Sequence, residues 1–127
     1  MNAGEKIQSA AVAALRTISG LGVYDGKPVQ AAHPYAVVEA GPETDWSHKS
    51  GSGRELRIAV TLYDKGERPQ RLHALLSEVE TVMGSLPDAV EGWQLVTLQL
   101  VRCMSSRDGQ GRWIGSADYR ARMLATG

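Results

Sequence analysis

An α+β domain, with a mostly antiparallel sheet of about four strands and two helices packed on one of its faces, is the fold this sequence predicts. Two stretches carry apolar residues at helical spacing, several others alternate with a period of two, and they follow one another as helix, strand, strand, helix, strand, strand. The 127 residues are the length of one ordinary domain, so residues 1–127 are read as a single unit with its own core.

Gly4 to Ser19 places Ile7, Ala10, Ala11, Ala14, Leu15 and Ile18 at intervals of three and four, one face of a helix, with Gly20 as its stop. Asp25-Gly26 and Pro28 mark a turn, and Pro34 biases His33 toward extended backbone, so that Tyr35 to Glu39 reads as a short strand. Gly41 to Gly53 follows as a polar loop, longer than an ordinary hairpin connection and rich enough in glycine and serine to be mobile. From Arg54 to Tyr63, Leu56, Ile58, Val60 and Leu62 alternate with Arg57, Ala59, Thr61 and Tyr63, which predicts one buried and one wetter face.

Pro69 suits the first position of a second helix, whose apolar positions are Leu72, Leu75, Leu76, Val79, Val82, Met83 and Leu86. Gly84 to Pro87 ends it, and Trp93 to Met104 is a long strand. Asp108-Gly109, with Gly111 close behind, makes a hairpin turn into the returning strand Trp113 to Leu124. There Trp113, Ala117, Tyr119, Ala121 and Met123 share one face, opposite Ser116, Asp118, Arg120 and Arg122. Trp93 and Trp113 open the last two strands and are expected to pair across them.

Hydrophobic residues make up 43% of the chain and charged ones 22%, with 14 basic against 14 acidic side chains. That balance argues against DNA affinity built on phosphate neutralisation, which needs an excess of Lys and Arg. It also leaves little repulsion to oppose self-association. Cys103 is the only cysteine and falls in an apolar run, so it reads as a buried structural thiol in a reducing compartment. No stretch is apolar enough for a secretory or membrane segment, and a soluble, cytoplasmic protein is expected.

Chemistry finds little support. Asp45, Ser47 and His48 are neighbours in sequence, but a nucleophile, base and orienting carboxylate must converge in space, and no Gly-x-Ser-x-Gly elbow is present. His33, His48 and His73 stand apart, without zinc-ligand spacing. Gly51-Ser52-Gly53 precedes a strand instead of following one, so it is no phosphate cradle. No catalytic residue, cofactor or metal is assigned. Trp46, in a polar loop, needs either its own domain or a partner to cover it.

Val23-Tyr24-Asp25-Gly26 with Pro28, His33-Pro34-Tyr35-Ala36-Val37-Val38, Thr44-Asp45-Trp46-Ser47-His48-Lys49 and Gly53-Arg54-Glu55 resemble the tail completion family of long-tailed phages and gene transfer agents, also called tail terminators or tail-to-head joining proteins. The resemblance runs from the first helix to the final strand. It implies an α+β protomer that joins five further copies in a hexameric ring closing the head-proximal end of the tail tube. Such a ring stops tube growth, presents a surface to the head connector or stopper, and lets DNA pass through without specific binding.

Assembly would take place in the bacterial cytoplasm, and the ring would then occupy the neck of the particle. No catalytic residues or cofactors come with the family. A ring needs two complementary surfaces on each copy, and the long loop and an exposed strand edge are natural suppliers. Asp45, Trp46, Ser47, His48, Lys49 and Arg54 are therefore candidate interface residues, with Trp46 an apolar anchor and Lys49 and Arg54 polar rim contacts. The alternatives are another head-tail connector, such as a head completion or stopper protein, or a small ligand-binding or enzymatic α+β domain.

Overall fold

The computed structural model describes residues 2–126. Helix α1, Ala3–Leu15, starts where the Asn2 side chain accepts a 2.7 Å bond from the Glu5 amide, satisfying a donor that the first turn leaves open. Ile7, Ala11 and Leu15 form its fully buried stripe, at the predicted spacing. The helix stops short of Ser19. Thr17 and Ile18 tighten onto the carbonyls of Ala14 and Leu15, and Gly20 takes a φ of 78° that lets the chain reverse.

Six strands follow, not four: β1 (Gly22–Tyr24), β2 (Tyr35–Asp45) and β3 (Gly53–Lys65) before helix α2 (Gln70–Gly84), then β4 (Ala89–Val90), β5 (Trp93–Arg107) and β6 (Arg112–Ala125). They make one mixed sheet in the order β1-β2-β3-β6-β5-β4, in which β1 and β2 run parallel and the other neighbours antiparallel. The two extra strands have three and two residues, too few to show an alternation in sequence. They exist because distant segments lie alongside, a non-local cause.

The core lies between one sheet face and the helices. Leu56, Ile58, Val60 and Leu62 of β3 and Ala117, Tyr119, Ala121 and Met123 of β6 supply the sheet side, and Leu72, Leu76, Val79 and Met83 of α2 press down on it. Gly115 lets α2 come close, since a Cβ there would stand 2.9 Å from Leu76 Cδ1. On the opposite face Tyr35 stacks on Tyr63 at 4.9 Å, so both faces of β2 are covered at that end.

Three expectations are corrected. The Gly41–Gly53 loop is largely strand: β2 continues through a bulge between Ala40 and Glu43 to Asp45, because its backbone keeps pairing with Arg54 to Leu56 after the apolar alternation has ended. Trp93 and Trp113 do not pair. Trp93 lies opposite Ala125 and Trp113 opposite Arg107, at the two ends of the hairpin, because the strands run antiparallel. Cys103 is exposed, since α2 lies over β6 and β3 and leaves the far half of β5 bare.

Candidate assembly surface

The β2–β3 hairpin overruns the helices and carries the residues singled out from the sequence. Thr44 lies opposite Glu55 and Asp45 opposite Arg54. Beyond them the Trp46 amide donates to the Gly53 carbonyl at 2.9 Å, and His48 and Gly51 exchange backbone bonds of 2.8 and 3.2 Å. The connection is thus a stitched, narrowing hairpin. Gly53 is required where the two arms meet, because a Cβ would fall 2.3 Å from the Trp46 carbonyl oxygen.

Asp45, Ser47 and Arg54 turn their polar groups inward, onto the hairpin itself. The Ser47 hydroxyl donates to Asp45 Oδ1 at 2.6 Å and accepts from the Gly53 amide at 3.1 Å. Arg54 bridges Asp45 at 3.1 Å and Glu43 at 3.2 Å. The Ser47 hydroxyl, seconded by Arg54, holds the Asp45 carboxyl below the usual carboxylate range. This use of the Ser47 hydroxyl is structural: its proton points at a carboxylate, with no histidine as base.

Trp46 lies half-buried over the sheet face away from the helices. The His48 ring meets it edge-on at 4.5 Å, and the Arg122 guanidinium lies 5.5 Å from its centroid. Arg122 is fixed in turn by Glu55, 2.8 Å away, a bond that lowers the Glu55 carboxyl from its ordinary range. His48 and Lys49 are exposed at the tip. The six candidate residues therefore share one end of the molecule: three of them shape the hairpin, while the tip and the open side of the indole are what another molecule could touch.

The sheet face around Trp46 is mixed in charge. Arg57 and Arg120 lie side by side across β3 and β6, Arg120 donates to Gln99, and Arg102 meets Asp118 at 3.6 Å. Among the described residues no cluster of side chains could hold a metal ion, and no helix is long and apolar enough to cross a membrane.

Sequence reasoning missed a second exposed surface, the far half of β5. Val96, Leu100, Val101 and Met104 are between 40% and 48% exposed there. Trp93 to Met104 read as a strand with a buried thiol at Cys103, and no local signal told that this strand is left uncovered.

Comparison with known proteins gives two findings. The family model "Tail completion protein gp17" matches residues 8–124. A chain in the solved structure titled "Virion of native gene transfer agent (GTA) particle" is similar in fold, with a TM-score of 0.78 at 23% identity, covering 98% of this chain and 100% of that one. No curated protein matches the sequence.

Proposed function

We propose, since this chain belongs to the tail completion protein gp17 family, that its copies close a ring on the head-proximal end of a tail tube. Family membership makes it a structural protein of tail assembly. The finer reading is that a hexameric ring ends tube polymerisation, offers a seat for the head connector or stopper, and leaves a channel through which DNA passes unbound. The single observation that carries this is the family match over residues 8–124, nearly the whole length of the chain.

Two features support a passive, contact-making role. The candidate residues with free groups, Trp46, His48 and Lys49, stand together on a hairpin that projects past the helices, where a neighbouring subunit can reach them. Asp45, Ser47 and Arg54 hold that hairpin in shape. The Ser47 hydroxyl and the Asp45 carboxylate that could have suggested hydrolysis are engaged with each other.

Particles produced with and without this protein, imaged by electron microscopy, test the reading. Tails that are overlong or lack heads are expected in its absence. Tails of normal length capped by an otherwise normal neck would reject the terminator role, and headless tails of normal length would assign the protein to the stopper position instead.

A further inference from the structure

The sheet has two unlike borders. Along β2, helix α1 guards the edge: the Gln8 amide group donates to the Val38 carbonyl at 3.0 Å and accepts from the Ala40 amide at 3.4 Å, and Glu43 accepts from the Gly4 amide at 3.0 Å. Along β5 the cover ends early. β4 pairs only with Trp93 and Gln94, and the Leu95 amide donates to Asp88. From Val96 to Arg107 the outer border of β5 meets no strand among the described residues. Leu100, Val101 and Met104 stand 45%, 47% and 48% exposed along it; the strand itself carries Arg102 and Arg107 and no acid, and Asp118 of β6 meets Arg102 at 3.6 Å. Proteins ordinarily blunt such edges, and a long, bare, apolar one is a template for pairing with another chain.

The β2 rim has the opposite character. Its bulge opens a hollow of about 370 Å³ floored by Ala40, Pro42 and Ala59, with Glu39 at the margin, Arg57 as its one cation, and Asp118 of β6, which is bound to Arg102, also lining it. On the helix side of the same bulge, a hollow of about 560 Å³ holds Glu5, Asp25 and Glu43 and no basic side chain. One border is therefore apolar and carries Arg102 and Arg107, and the other is concave and carries Glu5, Asp25 and Glu39. β3 and β6 separate them, so one molecule cannot join its own two borders.

We infer that the β5 border of one copy seats on the β2 rim of the next, as the head-to-tail contact that closes the ring. The inference rests on the ring reading above and adds to it the two faces that touch. Unlike faces on each copy make the contact heterologous, the type that generates rings. A symmetric pairing of β5 with itself would instead bring Arg102 and Arg107 of the two copies together, with Asp118, already bound to Arg102, as the acid nearest to offset them.

Cys103, exposed on β5 and the only cysteine, is a native marker for the contact. The full chain carrying Glu39→Cys, or Pro42→Cys as a second position, is treated with a short bismaleimide both in solution and in assembled tails, and the linkages are mapped by mass spectrometry. Expected is a ladder of linked copies longer than a dimer, joined through residue 103 and the new cysteine. The ladder should disappear when Arg102→Glu and Arg107→Glu are added to a chain that still gives the folded circular dichroism spectrum.

Wild-type dimers linked through two Cys103 residues would overturn the inference, and so would links from Cys103 to a different protein of the particle. Multimers seen by sedimentation but lacking the mapped linkage would overturn the choice of faces while leaving the ring reading intact. The absence of multimers in solution and in tails would remove both.

Discussion

Asp64 sits 2% exposed at the end of β3, the one buried charged side chain among the described residues. Arg71 Nε donates to its Oδ2 at 2.8 Å and the Lys65 amide to its Oδ1 at 2.8 Å, tying the first turn of α2 to the sheet. The Arg71 bonds above all hold the Asp64 carboxyl below its usual range. A carboxyl depressed in the folded state stabilises the protein fully above its unfolded value, about 3.9, and ceases to do so as pH falls through the folded one. The part of the urea midpoint that depends on Asp64 is therefore expected to be level from neutral pH down to about 5 and to drop below about 4. Asp64→Asn should cost about 1–3 kcal/mol at pH 7, because it weakens charge-assisted bonds at a buried site; equal midpoints for the two proteins at pH 7 would refute the role. No local pattern singles out Asp64, because its partner comes seven residues later, from a helix whose docking angle such patterns do not encode.

At the scale of elements, the β2–β3 hairpin shows how far pattern reading reaches. The alternation from Leu56 to Leu62 and the helical spacing from Leu72 to Met83 appear in the structure as read, because burial on one face imposes a period on the residues that fill it. Gly41 to Asp45 breaks the alternation and still forms strand, since pairing to β3 needs backbone rather than side chains. The location of Asp45, Trp46, Ser47, His48, Lys49 and Arg54 at one end was legible in the sequence; that Asp45, Ser47 and Arg54 bind one another was not. Trp46→Ala removes an indole that touches His48 and Arg122 at the surface, so it should cost only about 0.5–1 kcal/mol. The variant is expected to fold yet to yield tails of uncontrolled length in micrographs, and normal tails joined to heads would rule out an anchoring role for the indole.

For the whole molecule, charge is the governing quantity. Basic and acidic groups number 14 each, and on the sheet face away from the helices Arg122 and Arg102 are matched by Glu55 and Asp118. Counterion release, the main source of non-specific DNA affinity, needs unmatched cations in a row. Filter binding of duplex DNA is accordingly expected to show no salt-sensitive retention at moderate ionic strength, and firm retention that falls steeply with added salt would contradict the idea of a channel that lets DNA slide.

By itself, the amino-acid sequence determined the class of fold, the two helices, the buried faces of β3 and β6, and the family, because each is written in local periodicity or in short runs of residues. Only the tertiary structure decided that β1 and β4 exist, that Cys103 is exposed, and that one border of the sheet is guarded by Gln8 while the other is bare. Those outcomes depend on which distant segments come to lie side by side. A strand in the middle of a sheet and a strand at its edge can carry the same apolar run, and the neighbours alone distinguish them.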